Sequence, residues 1–141
     1  MNILSYIDTR IQYTERKIKD CFVYILSKKE IHKITVKEIC DMAKINRSTF
    51  YLHYKNCYDL FDNIKESMFH ELTGLISGLS NKNLELNDIF SKIMMNIKEN
   101  KLYYITVSQA DITFTNRIVN FCFEKFSDTA DGSKWRERFF F

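Results

Sequence analysis

The sequence predicts an all-α protein, and three observations carry that prediction. Its 141 residues hold no proline and only three glycines, Gly74, Gly78 and Gly132, so few positions force the backbone out of a helix. Apolar residues recur at intervals of three and four along most of the chain, the period at which one stripe of a helix meets a core. Hydrophobic residues make up 45% and charged residues 28%, the balance of a chain that buries a core rather than of a disordered one. That length suits one or two small helical units.

Taken in order, the first helix is predicted from Thr14 to Ser27, with Ile18, Cys21, Phe22, Ile25 and Leu26 on one face and Arg16, Lys17, Lys19 and Asp20 between them. A polar connection, KKEIHKI, leads to Thr35, with Glu38 three residues later. That spacing is a capping box, in which hydroxyl and carboxylate each take an orphaned backbone N–H. Ile39, Met42 and Ala43 supply the inward face of the second helix, which ends near Ala43. Lys44, Ile45 and Asn46 make a turn, and the Asn46 side chain caps a third helix from Arg47 to about His53. Asn56 opens a long fourth helix, whose Leu60, Phe61, Ile64, Met68, Leu72, Leu75, Ile76 and Leu79 drift along one broad face. Gly74, Gly78 and the tract SNKN loosen its carboxyl end. Asn87 or Asp88 opens a fifth helix with Ile89, Phe90, Ile93, Met94 and Ile97. LYYITVSQA is β-branched enough for a strand, but with no strand to pair with it reads as helix. Thr115 to about Phe126 gives the last. The resulting division is 1–58 and 59–141.

Composition narrows location and class. The opening MNILSYIDTR lacks a basic start followed by an apolar run, and no stretch approaches the roughly 20 apolar residues of a membrane span; a cytoplasmic protein is expected, with no membrane partner. Cys21, Cys40, Cys57 and Cys122 are far apart with no CxxC pair, so neither a zinc site nor a disulfide framework is indicated, and at least two thiols should fill core. Residues 1–58 carry 11 Lys+Arg against 6 Asp+Glu, net +5, whereas the whole chain is +3. Positive charge gathered at one end suits a polyanion partner. No carboxylate pair, nucleophile–base set, Gly-rich loop or metal-spaced ligand group stands out, and His32, His53 and His70 are scattered. Neither an enzyme nor a cofactor is expected.

Two short helices separated by about three residues and preceded by a third form the arrangement that fits a DNA major groove. The segment ITVKEICDMAKINRSTFYLHYKN, Ile34 to Asn56, resembles the DNA-binding signature of the TetR family of bacterial regulators: hydrophobic–Thr–hydrophobic, two short helices, Ser–Thr–Phe–Tyr, any residue, His–Tyr, then Lys–Asn. The resemblance covers about 45 residues, from the first helix to Leu60. It implies a helix-turn-helix regulator, a repressor that works as a homodimer on double-stranded DNA and answers to a small molecule. The residues read from the bottom up agree. Ile34, Ile39, Ile45, Phe50 and Tyr54 can share a small core, leaving Lys37, Arg47, Ser48, Thr49, Tyr51 and His53 outside. Arg47 can give a bidentate bond to guanine, Ser48 and Thr49 can touch base edges or a thymine methyl, and Tyr51 and His53 can donate to phosphate. Thr35 and Lys55 flank this set, and Asn56 opens a helix whose amino end is a phosphate seat.

Three departures from the family pattern stand out. Lys44 occupies the place of a usual glycine, where positive φ is needed. Cys57 replaces a lysine that reaches phosphate, with Lys55 as partial substitute. The chain stops at FFF, earlier than is usual in a family whose last two helices commonly form the dimer interface; Trp135, Phe139, Phe140 and Phe141 would expose apolar area unless packed, as a partner-binding edge or as a helix cut short. The resemblance further implies a carboxyl-terminal effector pocket, for which Met68, Leu72, Phe90, Met94, Tyr104 and Phe121 are candidates suited to a small apolar molecule. A helical protein-interaction module or coactivator that keeps this fold without binding an operator is the competing reading.

Overall fold

The computed structural model describes residues 2–80 and 86–127, with side chains for 2–77 and 87–125. The order is α1 (Ile3–Leu26), a short 3-10 turn (Ile31–Lys33), α2 (Val36–Ala43), α3 (Arg47–His53), α4 (Cys57–Ser80), α5 (Leu86–Glu99), α6 (Lys101–Ala110) and α7 (Ile112–Ser127). There is no strand among the described residues, and the LYYITVSQA segment is α6. The chain divides into one compact unit holding α1 to α6 and ending at Ala110, and a second that opens at Asp111 and holds α7.

The first helix starts eleven residues before the predicted Thr14. Asn2 is in extended conformation and its Oδ1 accepts from the Leu4 amide at 3.4 Å. The hydroxyls of Ser5, Thr9 and Thr14 then donate to carbonyls three or four residues back. These early turns stay exposed, with Ile3 and Leu4 at 76% and 67%. They grow from a helix already nucleated downstream, which burial periodicity does not reveal.

Within the first unit α1 packs on α2 and α6, α4 on α5, α2 on α3, and α5 on α6. Ile18, Phe22 and Val23 from α1, Ile39 and Ala43 from α2, Phe50 from α3, Leu60 from α4 and Val107 from α6 are all fully buried. Phe22 and Phe61 meet with ring centroids 5.9 Å apart, tilted by 46°. On α4 the buried residues Cys57, Leu60, Ile64, Met68, Leu72 and Ile76 recur mostly every fourth residue. Each such step turns the buried stripe by about 40°, so the helix presents different faces along its length. Gly74 does not end it, since α4 continues to Ser80. Cys40 and Cys57 are buried thiols. Met42, predicted inward, is exposed; the inward positions of α2 are Ile39, Cys40 and Ala43, and Met42 lies outside that arc, about 60° from Ile39 around the helix.

The second unit opens on Asp111, whose carboxylate accepts from the Thr113 and Phe114 amides at 2.9 and 3.4 Å. That cap starts α7 three residues before the predicted Thr115. Leu79, residues 81–85, Phe126 and the terminal Trp135, Phe139, Phe140 and Phe141, all used in the sequence reading, lie outside the described residues or side chains.

Candidate nucleic-acid interface

The site is built from α2, the turn after it and α3. Thr35 is extended and its Oγ1 accepts from the Glu38 amide at 3.2 Å, while Glu38 Oε2 accepts from the Thr35 amide at 3.0 Å. The capping box is therefore closed in both directions. Lys29 forms an ion pair with the other oxygen of Glu38. That bond, then the Thr35 amide, holds the Glu38 carboxyl below the usual carboxylate range. Thr35→Ala should lower unfolding free energy by about 0.5–2 kcal/mol, measured by urea denaturation. Because the folded state lowers the Glu38 pKa, its contribution is full at neutral pH and fades as pH drops through and below about 4. The stability gap between the native chain and Glu38→Gln should shrink over the same range. A gap constant from pH 7 to 3 would contradict the ionic account.

Lys44 closes α2 in the left-handed conformation, φ 55° and ψ 48°, and the Ile45 amide turns back to the Cys40 carbonyl at 3.1 Å. The strain expected from the absent glycine is real, since an L side chain is disfavoured there. Lys44→Gly should raise stability by about 1 kcal/mol, seen as a higher denaturation midpoint at unchanged slope. A lower midpoint would mean that the lysine stem contributes more than its backbone costs.

Asn46 stands at the cap position of α3, but its side chain makes no capping bond, contrary to expectation. Its carbonyl alone starts the helix, accepting from Phe50 at 3.2 Å. Phe50 is fully buried, with the Tyr51 ring edge-on at 5.5 Å and the Tyr54 ring at 5.8 Å. Burial, with Glu15 and Asp59 nearby, pushes the Tyr54 phenol well above its usual range, so it stays neutral. Ile34, Ile39, Phe50 and Tyr54 form the predicted core, while Ile45 is only half-buried.

This core points a defined face of α3 outward. Arg47, Ser48 and Tyr51 are exposed and Thr49 is half-buried; among the described residues Arg47 makes no ion pair within 4.0 Å. Leu52 joins them at 83% exposure. The sequence reading gave it no role, although it follows Ser48 by four residues and so shares its face. Lys37 is exposed and paired to Asp41 at 3.2 Å. His53 departs from the outward set: its side chain is 13% exposed, and Nδ1 lies 3.2 Å from Glu15 Oε1 on α1. The two residues are 38 apart in sequence, and no local pattern signals the pairing.

At the start of α4 the Asn56 Oδ1 accepts from the Asp59 amide at 2.9 Å, and Asp59 Oδ2 accepts from the Lys55 amide at 2.8 Å. The seat expected to meet a phosphate thus carries a carboxylate of its own. Cys57 does not stand at the surface where a phosphate lysine would; it is buried, its Sγ donating to the Ile34 carbonyl at 3.6 Å, and burial pushes the thiol pKa up.

Of the six predicted effector contacts, the five in the first unit do not line one cavity. Met68 and Tyr104 line a cavity of about 510 Å3 between α1, α4, the end of α5 and α6. Leu72 is sealed in the core, Phe90 and Met94 are exposed on α5 at 42% and 47%, and Phe121 belongs to α7 in the second unit. The inward stripe of α5 runs through buried Ile93 and half-buried Ile89 and Ile97, and Phe90 and Met94, one residue on, are turned about 100° away from it. The cavity is polar instead, walled by Glu15, Arg16, Lys19, Asp20, Glu71 and Glu99.

A TetR transcriptional regulator from Streptococcus agalactiae 2603V aligns with this structure at a TM-score of 0.59 and 24% identity, over 95% of this chain and 71% of that one. The fold is that of a TetR regulator. No family model matches the chain. The uncharacterized HTH-type transcriptional regulator YxbF of Bacillus subtilis (strain 168) is 32% identical over 54 residues, 38% of this chain and 14% of that protein. The chain thus matches about one seventh of that curated relative's length. Within the TetR fold, α2 and α3 are the helix-turn-helix pair and Lys44 is the left-handed residue between them.

Among the described residues no group of three or more His, Cys, Asp or Glu is placed to hold a metal ion, and no helix is long and apolar enough to cross a membrane.

Proposed function

We propose that this chain is a sequence-specific DNA-binding transcriptional regulator, with residues 1–58 reading DNA and 59–141 regulating that reading. One observation carries the proposal: Phe50 anchors α3 in a three-helix core and leaves Arg47, Ser48, Tyr51 and Leu52 on one exposed face. A helix so placed enters the major groove. There Arg47 gives a guanine two donors, Ser48 and Thr49 reach base edges, Leu52 packs on a thymine methyl, and Tyr51 donates to phosphate. The Lys37 and Lys55 side chains follow the backbone, Asn56 caps α4 beside them, and Thr35 holds α2 in place. The regulator is a cytoplasmic repressor that acts as a homodimer, its two third helices in successive major grooves about one turn apart, and a small molecule releases it.

The buried thiol at Cys57 favours a second reading, a protein-binding coactivator of the same fold, because it removes a cation from the phosphate side. Salt separates the two. Each phosphate neutralised adds about −0.9 to the slope of log affinity against log salt, so DNA binding weakens steeply between low and physiological salt. An apolar protein contact changes little. Titration of a duplex against the purified chain at several salt concentrations decides, and a flat profile or no binding overturns the DNA reading.

A further inference from the structure

We propose that the polar cleft walled by α1, α4 and α6 binds a small organic cation, a primary ammonium on a short aryl or alkyl body, and that the cation acts on α3 by taking Glu15 from His53. The inference rests on the regulator reading and names the class of its effector, at a place other than the apolar face that the sequence suggested.

The cleft, about 510 Å3, is large enough for a small organic molecule. Four carboxylates, Glu15, Asp20, Glu71 and Glu99, outnumber the two cations Arg16 and Lys19 along its walls. Asp20 accepts from the Tyr103 hydroxyl at 2.5 Å and Glu71 from the Asn96 side-chain amide at 2.9 Å, while Glu15 lies 3.2 Å from His53. Of the cations, Lys19 is turned to Ser67, Nζ to Oγ 3.2 Å, and burial lowers its pKa. Asp20, Glu71 and Glu99 are exposed and Glu15 is half-buried beside Lys19, so the walls hold two more carboxylates than lysine and arginine groups, and an added ammonium meets that excess. Tyr103 and Tyr104 offer aromatic surface, and Ile64 and Met68 an apolar floor. An ammonium with an apolar body matches both parts.

Glu15 makes the cleft more than a binding recess. Its carboxylate borders the cavity and also meets the mostly buried imidazole at the end of α3. A cation that draws Glu15 into the cleft leaves His53 without that partner, and a buried polar group that loses its partner destabilises the arrangement that held it. The cation then binds better to the conformation in which α3 is released than to the one in which it is tied, which is the differential affinity any effector needs.

The test uses the full chain and phenethylammonium chloride as probe, with 2-phenylethanol and 3-phenylpropionate as neutral and anionic controls at constant ionic strength. Calorimetric titration should show the ammonium binding with a Kd of about 1 mM or tighter, the two controls not binding, and Glu99→Gln weakening the ammonium about tenfold; Glu71→Gln serves where Glu99→Gln does not fold. Equal binding of the alcohol, no binding by about 10 mM, or full affinity in the folded variants overturns the site. DNA affinity for a duplex selected without ammonium should then fall at least about fivefold at saturation in the native chain, and not respond in Glu15→Gln. A selected duplex whose affinity ignores bound ammonium overturns the coupling while the regulator reading stands. Ammonium binding by a chain that selects no DNA supports the cleft and overturns the regulator reading instead.

Discussion

Phe50→Ala should lower the unfolding free energy by about 3–5 kcal/mol, the cost of emptying a fully buried aromatic site. Phe50 has no exposed surface and carries Tyr51 and Tyr54 against its ring, so the loss includes the transfer of the ring and the contacts of two neighbours. Urea denaturation followed by helical circular dichroism measures it. Since α3 has seven residues, too few to hold a helix alone, DNA affinity should fall with stability. A variant that loses less than about 1 kcal/mol would mean that the three-helix core closes without Phe50.

Arg47→Ala should act on the opposite side of the same helix and leave stability almost unchanged. Arg47 is exposed at the first turn of α3, and surface substitutions of this kind change folding by about 0.5 kcal/mol or less. Specific binding should instead weaken by about 1–3 kcal/mol and preference relax at one base position, because a guanine loses two donors. Equal weakening on every sequence would make Arg47 a phosphate contact.

Much of this was legible in the sequence because it is local. The capping box at Thr35 and Glu38 follows from a spacing of three residues, the left-handed Lys44 from the glycine usual there in the family resembled, and the core of Ile34, Ile39, Phe50 and Tyr54 from the alternation of apolar and polar residues; the structure has each of them. What was missed depends on distant partners or on fine rotation. His53 reads as an outward donor until Glu15, 38 residues earlier, is seen beside it. Phe90 and Met94 fit an apolar stripe that lies one residue away on α5. The polar cleft draws on α1, α4, α5 and α6 at once, and no window of sequence contains it. The early start of α1 and the cap at Asp111 escaped for another reason: backbone hydrogen bonding there needs no buried face.

Whether the exposed face of α3 reads DNA is decided by selection from a random double-stranded pool with the purified chain, run in parallel with Arg47→Ala. The native chain should enrich a motif, and the variant the same motif with one position, a G·C pair, no longer discriminated. No enrichment by the native chain, or an identical motif from both proteins, would contradict a DNA-reading role for that face.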